Sequence, residues 1–377
     1  MRLSCLQENL QHGLSVVGRA VATRTTLPIT QHVLMTIDNS RLKLSATNLE
    51  IAISTWVGAE VQEEGAVTVP ARLLSDFVSS LPKETISIES LSGDRGVELK
   101  CARVEATING ADSNEFPPIP PVDEGIATQV EAQTLRDAIR QVVFAVAAED
   151  SRPVLTGVNV DMRDDTLTLA AADGFRLAVH TTKLLNPVEE PLNFIVPGRT
   201  LQEVERLIEA QQGPIDLVVT PQRSQVLFRM KDIEIVSQLI QGVFPNYNQL
   251  IPESHDTRVI VSLQDLQRAT RTASIFAKDG SGIIRLQIAP SEGGGTGKLV
   301  ISSRAEEVGE NTADLEAEID GVEGKIAFNS RYLGDALGVM GKEQVALEMT
   351  TSSSPGVIRP VGSEGYIHVI MPMFVQW

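Results

Sequence analysis

The sequence predicts an α+β fold of three similar domains per chain, each with two helices set among antiparallel strands, and three recurrences carry that prediction. The first is Val69-Pro70-Ala71-Arg72-Leu73-Leu74-Ser75-Asp76-Phe77, which returns as Val196-Pro197-Gly198-Arg199-Thr200-Leu201-Gln202-Glu203-Val204. It returns again, more worn, as Phe328-Asn329-Ser330-Arg331-Tyr332-Leu333-Gly334-Asp335-Ala336. An arginine, a leucine two on, an acid four on and an apolar residue five on are common to all three. The second recurrence is an amphipathic helix anchored on Leu10, Leu135 and Leu266; the third is a proline-marked ending at Pro117, Pro245 and Pro372. All three recur at intervals of about 130 residues, the size of a domain and far above the roughly 20 to 50 residues of a solenoid repeat.

Each element follows from local pattern. Copy one opens with Leu6, Leu10, Leu14 and Val17, one apolar stripe at helical spacing. Leu135, Ala138, Ile139, Val142 and Val143 repeat it in copy two, and Leu263, Leu266, Ala269 and Ala273 in copy three. Alternating, β-rich sequence follows each time: Leu42 to Thr47, Leu167 to Ala172, Lys298 to Ser302. Such alternation marks half-buried strands. The Val-Pro-x-Arg stretch then reads as a strand exit leading into a second helix, with Leu74, Phe77, Val78 and Leu81 as its stripe in copy one. Two helices per copy suggest that the domain is itself a smaller β-rich unit used twice. Proline cannot donate to a ladder, so Phe116-Pro117-Pro118-Ile119-Pro120-Pro121, Phe244-Pro245-Asn246-Tyr247 and Met371-Pro372-Met373 read as exits. Boundaries near 122–127 and 250–255 divide the chain into domains 1–123, 124–253 and 254–377. Glu292 to Lys298, with three consecutive glycines, reads as a surface loop; it lacks the Gly-Lys-Ser/Thr ending of a phosphate loop.

A length of 377 residues exceeds what one core usually serves, and 42% apolar with 21% charged residues is ordinary for a globular protein and does not suggest disorder. Cys5 and Cys101 are too few for a disulfide framework and lack metal-ligand spacing. With no secretory leader pattern and no apolar run of about 18 residues, the expected location is cytoplasmic, without a membrane partner. His12, His32, His180, His255 and His368 are scattered, and no nucleophile elbow, Walker loop or dinucleotide fingerprint appears. Glu149-Asp150 and Asp164-Asp165 read as solvated turn acids. The sequence calls for no catalytic residue, metal or cofactor, and a binding role outweighs an enzyme.

A net charge of −17 argues against wrapping nucleic acid with the whole surface. The predicted helices nevertheless sum to a net positive charge, so the rest of the chain is more acidic still. That segregation is expected if helices face an anion and strands do not. Contacts of this kind position a protein on DNA and carry no sequence information.

Arg24-Thr25-Thr26-Leu27-Pro28-Ile29, Val69-Pro70-Ala71-Arg72, Ala172-Asp173-Gly174-Phe175-Arg176-Leu177-Ala178, Phe244-Pro245-Asn246-Tyr247 and Val369-Ile370-Met371-Pro372-Met373, in this order and spacing, resemble the bacterial sliding clamp family, the β subunits of DNA polymerase III. The resemblance covers essentially the full chain. It implies the DNA clamp fold: a head-to-tail homodimer closing a six-domain ring, helices on the inner face of curved antiparallel sheets, and duplex DNA encircled without sequence specificity. It implies no catalysis; the clamp tethers the replicative polymerase, so processivity comes from linkage. The expected DNA-facing residues are Arg24, Arg72, Arg136, Arg140, Arg152, Arg199, Arg268, Arg271 and Arg331.

A pocket between domains two and three would receive short linear motifs of polymerase, clamp loader and repair proteins. It would be built from Leu155, Gly174, Arg176, Leu177, Pro245, Leu250, Met371, Pro372 and Met373. For the dimer, Ile275 and Phe276 would meet Phe77 and Ile108 of the partner subunit. The chain departs from the family at Ala172, Phe175, Gln249 and the Phe374-Val375-Gln376-Trp377 ending, which together make a more apolar pocket. The rival reading is a three-domain peptide-binding scaffold that does not encircle DNA.

Overall fold

The computed structural model describes residues 1–377 except 92, 94, 123, 150, 210, 212, 279, 280, 292–295, 306 and 308. The glycine run of the 292–298 loop, Asp123 at the first predicted boundary and Asp150 of the acid pair therefore lie outside the described residues. Six helices are described: α1 (Gln7–Val17), α2 (Ala71–Ser80), α3 (Ala132–Val142), α4 (Gly198–Ile208), α5 (Leu263–Lys278) and α6 (Ser330–Leu337). Every one follows directly on a strand and precedes three more, with one extra short strand, Glu60–Glu63, in the first copy. The chain is thus a βαβββ unit used six times, and the inner duplication suggested by the sequence is present in all three copies.

The Val-Pro-x-Arg stretch does what its composition dictates. Strands Ala66–Pro70 and Leu192–Pro197 end on the proline, and α2 and α4 begin at the next residue. In the third copy Asn329 replaces proline and caps α6, its Oδ1 accepting from the backbone N–H of Arg331 at 2.9 Å and of Tyr332 at 3.3 Å.

The chain divides into two compact units, one of Met1–Arg136, Leu184–Val188 and Arg199–Leu239, the other of Asp137–Lys183, Glu189–Gly198 and Ile240–Trp377. The boundary cuts through the predicted central domain because its strands belong to two different sheets. In the first unit a five-stranded sheet and an eight-stranded sheet are formed. The larger one joins predicted domains one and two by pairing Ile233–Gln238 with Ile51–Val57, where fully buried Ile235 and Ile53 face each other. In the second unit a twelve-stranded sheet joins predicted domains two and three by pairing Arg176–Lys183 with Tyr366–Ile370. Strand pairings among the described residues of these sheets are antiparallel, and backbone hydrogen bonding continues across each predicted domain junction.

Helices pack on these sheets through the predicted stripes except at Leu6, which ends the strand before α1 and is 54% exposed. Leu10, Leu14 and Val17 of α1 are buried. Gly13 lets the helix approach closely, since a Cβ there would lie 2.7 Å from Val57 Cγ2 and 2.9 Å from Leu44 Cδ1. Paired helices are also tied by glutamines: Gln7 Nε2 donates to the Val78 carbonyl near the end of α2, and Gln267 Nε2 to the Leu337 carbonyl at the end of α6, both at 2.7 Å. The Val78 carbonyl also accepts from the Leu81 N–H at 3.2 Å, and each glutamine adds a bond at a helix end that has no further turn to supply one.

Candidate partner pocket and helix face

The predicted pocket residues lie together within the second unit. Cross-strand register places Ala172 beside Leu177, Leu177 beside Val369 and Val369 beside Val357. Paired residues share a sheet face, and these four form one buried cluster with Leu155 and Phe244, against which Tyr247 and Ile251 pack. Leu155 and Leu177, expected to line the pocket, are its buried floor, while Pro245 and Leu250 stand exposed on its rim. Met371 is partly exposed; its N–H donates to the Phe175 carbonyl, and the Met373 N–H to Ala327, each at 2.8 Å. The departure at Ala172 is buried and that at Phe175 is exposed, its ring stacked on Tyr332 at a 6.3 Å centroid distance. The motif signature concealed Tyr332, which occupies a repeat position and only tertiary packing brings to the pocket.

Arg176, expected among the residues that build the pocket, is 6% exposed, and each of its three guanidinium nitrogens is hydrogen-bonded. Nε donates to Asp173 Oδ2 at 3.0 Å, Nη1 to Asp335 Oδ2 at 2.7 Å and Nη2 to the Phe144 carbonyl at 2.8 Å. The rings of Phe144 and Tyr332 flank it at 5.3 and 4.5 Å. A buried arginine needs partners of this kind to offset desolvation. Arg176 is therefore a post beneath the pocket loop. Asp173 also accepts from the N–H groups of Phe175 and Arg176, closing the turn around Gly174, whose φ is +94°. Beneath lies His368, fully buried and beside Arg176; burial pushes its pKa down to about 3 and holds it neutral.

Of the nine predicted DNA-facing arginines, Arg24, Arg72, Arg140, Arg152, Arg199, Arg268, Arg271 and Arg331 are exposed. Arg136 is half-buried and donates to Glu209 at 2.8 Å. Arg152 is drawn to the pocket loop, with Nη2 donating to the Asp173 carbonyl at 2.9 Å. The arginines that open α2 and α6 oppose a helix dipole, and each has the motif's own acid nearby: Arg72 to Asp76 and Arg331 to Asp335, both at 3.8 Å. In the second copy the acid is drawn elsewhere, because Glu203 accepts from Arg206 at 2.6 Å and from Arg19 at 3.1 Å.

For the dimer, Ile275 is 64% exposed and Phe276 and Phe77 are half-buried, so these three can meet a partner. Ile108 is 4% exposed because its side chain faces the interior of its own sheet. The apolar residue presented by that edge strand, Val104–Asn109, is Val104, 43% exposed. Val104 and Ile108 share one face of the strand, and Val104 is left uncovered because it stands at the hairpin end, opposite Cys101.

Repeated βαβββ units, exposed arginines on or beside the helices, and a buried apolar cluster that the last strand completes define a clamp-type binding protein. Models of the DNA polymerase III beta subunit match residues 1–120 (N-terminal domain), 129–246 (central domain) and 248–374 (C-terminal domain). The beta sliding clamp of Synechococcus elongatus is 32% identical over 99% of both chains, and that of Bacillus subtilis 29% over the same share. The crystal structure of the Bacillus subtilis DNA polymerase sliding clamp covers 100% of both chains with a TM-score of 0.94 at 29% identity. A Pseudomonas aeruginosa clamp bound to griselimycin gives 0.91 at 29% identity, again with full coverage. The chain belongs to the DNA polymerase III beta subunit family, the bacterial sliding clamps.

Proposed function

We propose that two copies of this chain close a ring around duplex DNA and tether the replicative polymerase to it, raising processivity without chemistry of their own. The observation that carries this reading is the threefold family match along the whole chain, combined with exposed arginines concentrated on and beside the helices of a chain of net charge −17. The duplex would lie against the helices, held by phosphate contacts that leave it free to slide. Sheets continuous across domain junctions suit such a wall, since a ring under load needs joints that backbone hydrogen bonds carry. The domains of this reading are 1–123, 124–253 and 254–377. Ile275, Phe276, Phe77 and Val104 would form the contact between subunits.

Polymerase, clamp loader and repair proteins would dock by short apolar motifs over Leu155 and Leu177, between Leu250, Phe175 and Met371 to Met373. Methionines and exposed aromatic rings suit a groove that accepts several partners. No helix among the described residues is long and apolar enough to cross a membrane, and the work proposed is that of the cytoplasm.

Light scattering at micromolar concentration should give about twice the 40.8 kDa chain mass. Protein loaded on nicked circular DNA should stay through gel filtration and be lost once the DNA is linearised. Equal loss from both forms overturns encirclement. Met373→Glu should abolish peptide binding while leaving the dimer intact; surviving binding would mean that the groove lies elsewhere.

A further inference from the structure

The row of cross-strand partners that floors the pocket does not stop at Val357. On the next strand Val357 faces Glu348, and on the strand beyond, Glu348 faces Arg258. Arg359, two residues along from Val357 and so on the same face, donates from Nε to Glu348 Oε2 at 3.1 Å. Arg258 Nε stands 3.4 Å from the other carboxylate oxygen in poor geometry and has no hydrogen-bond partner though buried. Two guanidinium groups therefore share one carboxylate, and most of their donors are left over. They line a cavity of about 340 Å³ with His255, Glu253, Met349 and Val357.

Resting on the docking reading above, we propose that this cavity is an anion subsite of the same surface, taking the carboxylate of an Asp or Glu side chain that flanks a partner's apolar anchor. Val357 belongs to both sites, as part of the buried pocket cluster and as cavity wall. Strands lie about 4.8 Å apart, so three steps from Val369 to Arg258 span about 14 Å, the reach of about four extended residues. The acid should then stand about four residues from the anchor. An arginine fork matches a carboxylate in two-point geometry. Glu348 and Glu253 on the same wall weaken the field, which limits the gain to about fivefold.

The test uses the full-length protein and two fluorescent peptides with amidated C-termini, identical except for Glu or Gln four residues from a Leu-Phe anchor. At low salt the Glu peptide should bind about fivefold more tightly. Arg258→Gln with Arg359→Gln should erase the difference and leave the Gln peptide's affinity unchanged, with thermal melting confirming the fold. Glu348→Gln, which frees the guanidinium groups, should enlarge it. Equal binding of both peptides to the unmodified protein, or a preference that survives the double substitution, overturns the anion subsite alone. Failure of both peptides to bind overturns the docking reading and the subsite with it.

Discussion

Gly174 holds the pocket loop in a state that other side chains could not. Gly174 adopts φ +94°, and a Cβ there would lie 2.9 Å from the Arg152 guanidinium. Gly174→Ala should cost about 1 to 2 kcal/mol in urea unfolding and weaken peptide binding by displacing Arg152 from the Asp173 carbonyl. His368 sets a pH limit. Its folded pKa of about 3 lies below the ordinary 6.5, so the unfolded chain binds the proton and the folded chain resists it. The stability this neutral ring contributes is complete above pH 6.5 and is lost as pH falls towards 3, at up to about 1.4 kcal/mol per pH unit. His180, also lowered by burial, acts in the same direction. His368→Leu should flatten the decline in melting temperature between pH 6 and 4; an unchanged slope would assign that decline to carboxylates.

Among elements, the helix pairs were legible and their ties were not. Periodicity placed Leu10 and Leu14 of α1 in the core, where they are buried, but no pattern marks Gln7 as donor to the end of α2. Gln7→Ala should cost about 0.5 to 1.5 kcal/mol by removing this tie between α1 and α2, a loss that chemical denaturation would read directly. Edge strands show the complementary gap. Val104 and Ile108 lie on one face of their strand, yet only packing shows Ile108 covered and Val104, at the hairpin end, exposed. Val104→Asp should therefore shift the dimer to monomer in light scattering, whereas Ile108→Ala should lower stability by about 2 to 4 kcal/mol through a core cavity.

At the scale of the whole chain, domain junctions are sheet and not hinge. Cutting the backbone in the exposed 253–256 stretch should leave the two fragments together on gel filtration, because Arg176–Lys183 remains paired with Tyr366–Ile370 and Arg176 remains bonded to Asp335. Separation without denaturant would show that these pairings are too weak to carry the wall. The candidate pocket depends on the same junction, since Leu177 comes from one predicted domain and Val369 from the next.

Repeats, helix stripes, strand exits and family membership were determined by the sequence alone, because each is a local pattern copied three times and copies reinforce one another. What only the tertiary structure decided is where the copies cease to be equivalent. Asp335 stands 3.8 Å from Arg331 of its own motif, but also binds Arg176 across a predicted domain junction. Glu203, its counterpart, turns to Arg206 and Arg19. Sequence patterns reach a few residues along the chain, whereas burial and charge pairing are settled by neighbours more than a hundred residues away.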